Sequence, residues 1–380
     1  MHTPVHLWRR SALFAVMAAG AVAASSILGS ARAAADVDAA RAYRQVNLVS
    51  DISGVAAVTD PNLVNPWGLV SSSTSPWWVS DNGTGVSTLY DGAGQPFPAG
   101  APLVVNIPPP AGGTSAAPTG VVFNGTPTDF VVSGSGTSAP ARFIFATEDG
   151  TISGWAPQTG LNDAILEVDN SANPSADNGA VYKGLALSSV NGASFLYATN
   201  FRSGHVDVFD HAFAPVTGLS FIDPGIPDGF APFGIRSIAD RLLVTYAKQD
   251  ADKHDDVAGP GNGFVDVYSA GGVLLQRLVS QGVLNSPWGL AQAPKKFGRF
   301  SRDLLIGNFG DGHINAFDAT TGAFRGTLSD EDGNPIFIGG LWALSFGNGA
   351  TAGPLNKLFF TAGIGDESHG LFGVLQAEHD

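Results

Sequence analysis

A turn near the end of the chain carries the side chains best suited to acid–base chemistry. Residues 365–370 read Gly-Asp-Glu-Ser-His-Gly, so that Glu367 and His369 flank Ser368. A histidine beside a carboxylate can act as a general acid or base. Ser368 does not complete a nucleophilic triad, because adjacent turn residues seldom point at one another and no nucleophile-elbow motif surrounds it. We predict Glu367 and His369 as catalytic candidates, with a purely structural turn as the alternative.

Oxygen-bearing side chains recur at matching positions of a repeat that runs along the chain. Each follows the second predicted strand of its repeat, and they are Asn82, Glu148, Asn200 and Asn308. Amide and carboxylate oxygens are the ligands that Ca²⁺ prefers. If the four side chains converge on one axis, they predict a site for Ca²⁺ or Mg²⁺. The alternative is that asparagine stands there only because it tolerates the left-handed backbone of tight turns.

Large and charged side chains occupy related positions of the same repeat. Trp67, Trp288, Trp342 and Lys183 share the position just before the first strand, and Tyr246 shares the position of the asparagines. We predict that these five residues bind a ligand, the tryptophans as an aromatic surface and Lys183 as the partner of an anionic group. The alternatives are packing between repeats for the aromatic residues and a salt bridge from Lys183 to Glu148.

The repeat itself predicts the fold. The segment Ser286-Pro287-Trp288-Gly289-Leu290 has near-copies that begin at 65, 117, 181, 231 and 340, so that by subtraction successive copies lie 52, 64, 50, 55 and 54 residues apart. A β-rich period near 50 residues is typical of a propeller blade. Six copies predict an all-β, six-bladed β-propeller with four-stranded blades, in which both sets of positions meet at the mouth of one channel.

The beginning of the chain divides into three predicted parts. Residues 1–33 combine Arg9 and Arg10 with an uncharged, alanine-rich stretch and the cleavage-like sequence Ala31-Arg32-Ala33, which indicates a signal peptide for Sec or twin-arginine export. Residues 34–42 form a flexible leader, and residues 43–380 form a single propeller domain. Residues 43–49 alternate polar and apolar side chains while the last repeat is one strand short, so we expect this segment to join the last blade and close the ring.

Two inserts interrupt the repeat. Residues 126–138 predict a small hairpin attached to blade 2. Residues 248–262 contain four aspartates and His254, but they lack the glycine and the distal glutamate of an EF-hand loop. We predict a solvated loop here rather than a metal site.

Composition excludes several classes of partner. The formal charge is −14, and the 19 lysines and arginines are spread along the chain, which argues against nucleic acid and against an anionic membrane. There are no cysteines, so disulfides and cysteine-ligated metals are impossible. We expect a secreted or periplasmic monomer that has no membrane contact after signal removal and binds a small molecule or a protein.

Motifs in the chain resemble those of known propeller families. Pro-x-Gly-Leu, followed by an apolar pair and an Asn or Asp turn, resembles NHL-type propellers and, more loosely, gluconolactonase-like and virginiamycin-lyase-like propellers. A closer resemblance is to a family of secreted bacterial β-propeller proteins of uncharacterised function. It covers essentially the whole mature chain, through Asn65-Pro66-Trp67-Gly68-Leu69, Ser80-Asp81-Asn82-Gly83, Tyr246-Ala247-Lys248-Gln249-Asp250, Gly259-Pro260-Gly261-Asn262-Gly263 and Glu367-Ser368-His369-Gly370-Leu371-Phe372-Gly373. Gluconolactonase-like propellers hold a divalent cation with a similar Glu and Asn set, so this resemblance implies a cation at Glu148.

Two functions are compatible with these residues. The first is a binding propeller that holds a small ligand or a partner at the channel mouth, with or without a divalent cation. The alternative is an enzyme of lactonase, hydrolase or lyase type that uses the cation as a Lewis acid and His369 or Glu367 as a base. The first is favoured because the sequence contains no nucleophile constellation and no complete metal motif, although a propeller can host either function.

Overall fold

The computed structural model describes residues 41–378, and this range is almost entirely β-structure. Two single-turn 3₁₀ helices, Ala176–Asn178 and Gly298–Phe300, interrupt the strands. The predicted signal peptide at 1–33 and nearly all of the predicted leader at 34–42 lie outside the described residues.

Six sheets follow one another along the chain and form the blades of a β-propeller, as predicted. Their strands pair antiparallel, except that Val58–Thr59 pairs parallel with Ala42–Ser50. In chain order the strands are Pro66–Val70, Trp77–Asp81, Val86–Tyr90 and Val104–Asn106 in blade 1; Pro118–Phe123, Phe143–Thr147, Thr151–Trp155 and Ile165–Asp169 in blade 2; Tyr182–Val190, Ala193–Asn200 and His205–Phe209 in blade 3; Phe230–Ile238, Arg241–Lys248, Phe264–Ser269 and Leu274–Ser280 in blade 4; Pro287–Gln292, Leu304–Asn308, Ile314–Phe317 and Phe324–Thr327 in blade 5; and Leu341–Phe346, Lys357–Ala362, Leu371–Glu378, Ala42–Ser50 and Val58–Thr59 in blade 6. The first strand of each of blades 1 to 5 is innermost, and so is Leu341–Phe346 in blade 6.

The repeated glycine has a packing role at the centre of the ring. A Cβ on Gly68 would lie 2.4 Å from the carbonyl oxygen of Thr119 in the next inner strand, and a Cβ on Gly234 would lie 2.3 Å from that of Trp288. Neighbouring inner strands therefore approach so closely that only glycine fits at the contact. Each copy of the sequence repeat marks one inner strand of the ring, so the number of copies predicts the number of blades.

The N-terminal strand closes the ring, as the sequence predicts. Ala42–Ser50 pairs antiparallel with Leu371–Glu378 and begins one residue before the predicted start. Tyr43 is 1% exposed, and its hydroxyl donates a hydrogen bond of 2.9 Å to the carbonyl of Phe297. The last blade thus combines strands from both ends of the described chain and leaves no open edge between the first and last repeats.

Blade 3 differs from the predicted four strands. It has three, and residues 210–229 add only an isolated bridge between Phe209 and Pro215. Proline cannot donate to a strand ladder, and this segment also contains Pro224 and Pro227. The other five blades have at least the four strands expected.

The predicted hairpin in the first insert is present. Val131–Gly134 pairs with Thr137–Pro140 as a separate two-stranded sheet. Phe130 and Val132 are buried in the apolar core between blades 2 and 3. Similar apolar layers separate the other blades, and they hold the sheets face to face.

Candidate functional site

Polar side chains from five blades form a hydrogen-bonded series across one end of the central channel, which we call the mouth cluster. Its members, in order of contact, are Glu367, Asn65, Asn82, Glu148, Lys183, Asp255 and His254. Each lies beside the start of an inner strand or beside the end of a second strand, because the propeller brings both positions to one face.

Two asparagines connect the carboxylates of blades 6 and 2. Asn65 Nδ2 donates to Glu367 Oε2 at 2.7 Å and to Asn82 Oδ1 at 3.4 Å, and Asn82 Nδ2 donates to Glu148 Oε2 at 2.8 Å. Burial raises the pKa of Glu367 even though Asn65 stabilises its charged form. Of the four predicted metal ligands, Asn82 and Glu148 therefore lie together.

Lys183 is the centre of the mouth cluster. Its side chain is 2% exposed, and its ammonium group forms ion pairs with Glu148 and, at 3.1 Å, with Asp255 Oδ1. Nζ also lies 5.2 Å from the ring centroid of Trp67. Burial lowers the pKa of Lys183, but the two carboxylates outweigh that effect and the net shift is upward. The predicted salt bridge from Lys183 to Glu148 is confirmed.

The aspartate-rich insert contributes to the mouth cluster, although the sequence predicted only a solvated loop. Asp255 is 66% exposed yet reaches Lys183, and His254 Nδ1 lies 3.0 Å from Asp255 Oδ1. The hydrogen bond from His254 lowers the pKa of Asp255, and the same bond raises that of His254. Gln249 Nε2 donates to the carbonyl of Phe201 at 2.6 Å and ties the loop to blade 3. The cluster of aspartates with one histidine was the only sign in the sequence that this loop could belong to a site. Such a cluster does not show that the loop contacts a residue of another blade.

An aromatic layer lies directly beneath Lys183. Trp67 and Trp342 stack with ring centroids 3.4 Å apart, and Trp288 meets Trp342 edge to face at 5.8 Å. The indole of Trp342 donates to Asn65 Oδ1 at 3.1 Å, and that of Trp288 donates to the carbonyl of Lys183 at 3.0 Å. Trp67 and Trp342 are at most 2% exposed, whereas Trp288 is partly exposed. The predicted aromatic surface is therefore a packed layer that supports the mouth cluster from below.

Glu367 and His369 face different partners. Glu367 joins the mouth cluster, whereas His369 Nδ1 lies 2.7 Å from Asp51 Oδ2, just after the closing strand. Ser368 Oγ donates to the carbonyl of Gly365, so it takes no part in a triad, as expected. The structure thus places a histidine beside a carboxylate that orients it, but the carboxylate is Asp51, which the sequence did not indicate.

Asn200 and Asn308 lie outside the mouth cluster. Asn200 Oδ1 accepts the backbone N–H of Val181 at 3.3 Å, and its amide donates to Asp207 at 3.0 Å. The amide of Asn308 donates to the carbonyl of Val283 at 2.7 Å. Each of the two is the last residue of its strand rather than the first residue after it, and their side chains bond within or beside their own blades.

Tyr246 also lies away from the mouth cluster. The second strand of blade 4 continues to Lys248, so Tyr246 is inside the strand and faces the core between blades 3 and 4. Its hydroxyl shares a hydrogen bond of 2.7 Å with that of Tyr268, and burial raises its pKa. The structure assigns it a packing role in place of the predicted ligand contact.

A cation would find suitable donor types at the mouth but also a competitor. Ligand atoms of Glu148, His254 and Asp255 lie within 4.8 Å of one another. Carboxylate oxygens suit Ca²⁺ and Mg²⁺. The ammonium group of Lys183, however, is already bonded to Glu148 and Asp255. A metal ion would therefore fit Glu148 and Asp255 only by displacing this ammonium group, because two cations that share the same oxygens repel each other at close range.

Among the described residues, no helix is long and apolar enough to cross a bilayer. Secretion or a periplasmic location stays a prediction from the first 33 residues.

Comparison with solved structures supports the architecture. A glucose dehydrogenase aligns over 89% of this chain and 100% of its own, with a TM-score of 0.51 and 13% sequence identity. Virginiamycin B lyase from Staphylococcus aureus aligns over 88% of this chain and 98% of its own, at a TM-score of 0.44 and 12% identity. The likeness to glucose dehydrogenase, at 13% identity, shows the fold alone.

Comparison with curated proteins gives the family. No protein-family profile matches the chain. The uncharacterised protein R648 of Acanthamoeba polyphaga mimivirus is 31% identical over 333 residues, which are 86% of this chain and 78% of that protein. The uncharacterised protein L690 of the same virus is 30% identical over 333 residues, which are 86% of this chain and 84% of that protein. These relatives are viral and do not support the expected assignment to secreted bacterial proteins. The chain belongs to the family that includes R648 and L690.

Proposed function

We propose that the protein binds a small polar ligand at the mouth cluster, and that the ligand presents hydroxyl or ammonium groups to the carboxylates there. One observation carries this proposal: the buried ammonium group of Lys183 holds Glu148 on one side and the 66% exposed Asp255 on the other. Asp255 therefore offers acceptor oxygens to solvent from a fixed position.

The charge of the mouth cluster decides the class of ligand. The mouth cluster contains three carboxyl groups, those of Glu148, Asp255 and Glu367, and one ammonium group, that of Lys183. Its carboxyl groups therefore outnumber its ammonium group, and a ligand that donates hydrogen bonds suits the site better than an anion. The aromatic layer keeps the position of Lys183 rigid, which lowers the ordering cost of binding.

The second candidate function is hydrolysis or elimination on the same face. It is favoured by His369, which is 44% exposed and has Asp51 to orient its ring at 2.7 Å. A divalent cation would supply Lewis-acid polarisation of a substrate oxygen in such a reaction. We propose that Lys183 competes with such a cation for Glu148 and Asp255.

The ligand proposal can be tested by titration with glucose and with putrescine, monitored through the ¹⁵N-labelled tryptophan indoles. The indoles of Trp288 and Trp342 bond directly to Lys183 and Asn65, so their resonances should shift and saturate. The indole of Trp155 bonds to the carbonyl of Leu161 in blade 2 and should stay unchanged.

A matched pair of variants locates the effect. Asp255→Asn should weaken binding, whereas Asp252→Asn, in the exposed part of the same loop, should not. If neither probe produces a saturable shift in the wild-type protein, or if both variants bind like the wild type, the proposal is wrong.

A further inference from the structure

The far half of the channel, beyond the aromatic layer, contains a cavity of about 310 Å³. All six inner strands line it, mainly with apolar side chains and glycine. Val70, Phe123 and Ser237 at its rim are partly exposed, so the cavity opens to solvent on the face opposite the mouth cluster. Its volume is near the lower end of the range for small-molecule sites.

Arg236 is the one charged residue among those that line this cavity. Its guanidinium extends from the inner strand of blade 4 toward those of blades 5 and 6. Nη1 donates to the carbonyls of Leu290 at 2.9 Å and Leu344 at 2.5 Å, and Nη2 donates to Ser345 Oγ at 3.0 Å. All three acceptors are neutral.

The positive charge of Arg236 has no acidic partner. In the described part of the chain, Arg236 forms no ion pair, whereas Lys183 and Arg277 each contact carboxylates. Burial lowers the pKa of Arg236 to about 10, so it stays charged at neutral pH. An unpaired cation in a largely apolar cavity is costly, and an anion that pairs with it would reduce that cost.

The guanidinium also has donors to spare. It carries five N–H groups in a fixed fork, and the three bonds to protein use Nη1 twice and Nη2 once. Nε–H and one N–H of Nη2 have no partner among residues 41–378. A planar carboxylate can accept two parallel bonds from a guanidinium in this way.

We propose that this cavity binds a small monocarboxylate with an apolar body, held by Arg236 through its free donors and by the apolar walls of the inner strands. The bonds from Arg236 to Leu290 and Leu344 place the guanidinium. They do not neutralise it. The aromatic layer, whose Trp288 also lines the cavity, lies between this site and the mouth cluster.

The test is a calorimetric titration of the full chain with butyrate and with its neutral isostere butanamide. Wild-type protein should bind butyrate at least about tenfold more tightly than butanamide, because only the anion pairs with the guanidinium. Arg236→Met should lose this preference. Arg236→Lys, which keeps the charge but not the fork, should retain only part of it.

Two controls separate ligand binding from a purely structural role of Arg236. Arg325→Met removes an exposed arginine of blade 5 and should leave the preference intact, as should Asp255→Asn at the mouth. Comparing the two ligands on wild-type protein keeps the test valid even if Arg236→Met fails to fold. Equal binding of butyrate and butanamide, or no binding of butyrate to wild type, would overturn the proposal.

Discussion

Replacing Lys183 by methionine should destabilise the protein mainly by leaving Glu148 without its cation. Lys183 is 2% exposed and Glu148 is 13% exposed, so their pair is largely removed from water, whereas Asp255 is 66% exposed. Breaking a buried pair by removing one partner costs about 3–5 kcal/mol, and an exposed pair contributes about 0–1 kcal/mol. Methionine keeps most of the packing against Trp67. We therefore expect a loss of about 3 kcal/mol at pH 7.

The same reasoning predicts a rescue. Glu148→Gln in the Lys183→Met background removes the orphaned charge and should restore about 2 kcal/mol.

Urea unfolding followed by tryptophan fluorescence measures both effects, because Trp67 and Trp288 contact Lys183 directly. Glu148→Gln alone provides the fourth corner of the double-mutant cycle. The reasoning fails if the double variant loses the sum of the two single losses.

Three further outcomes follow from the fold and the site. Removing residues through Ser50 should open the ring and lower the melting temperature by more than about 10 °C; unchanged melting in a calorimetric scan would contradict the closure by Ala42–Ser50. Lys183→Gln should bind Ca²⁺ at least about tenfold more tightly than wild type in a titration, because it frees Glu148 and Asp255; equal affinities would show that Lys183 does not compete. Burial raises the pKa of Asp266 from 3.8 to about 7, so the stability that its protonated form contributes is fully present below pH 3.8 and is lost as pH rises through about 7. In urea unfolding, wild type should therefore lose stability relative to Asp266→Asn between pH 3.8 and about pH 7, and parallel pH profiles would count against this assignment.

The sequence predicts the architecture well because the repeat reports contacts that every blade shares. Gly68 and Gly234 lie where adjacent inner strands nearly touch. The recurrence of the motif that contains them therefore gives the number of blades. The missing strand of the last repeat and the alternation at residues 43–49 together locate the closure. Blade 3 is the exception, because its prolines remove the donors that a fourth strand needs.

The candidate site is less predictable because its contacts join different blades. Asn82 and Glu148 follow their strands and meet, but Asn200 and Asn308 are the last residues of theirs and bond elsewhere. Asn82 and Glu148 lie one residue beyond the register position that Asn200 and Asn308 occupy. An offset of one residue at the strand end therefore decides which side chains meet, and strand ends are the least certain part of any prediction from sequence. The contact between Asp255 and Lys183 forms because a long loop folds back toward blade 3. No local sequence pattern predicts that loop conformation.

The stack of Trp67 on Trp342 gives the protein an optical reporter of its own closure. Trp67 belongs to blade 1 and Trp342 to blade 6, so the two indoles meet across the seam where the first and last repeats join. Two indoles at 3.4 Å with planes 20° apart couple their electronic transitions and should produce a paired positive and negative band in circular dichroism. Opening the seam would separate the chromophores and remove that band while the strands of each blade remained paired. The appearance of this band during refolding would show when the first and last blades come together.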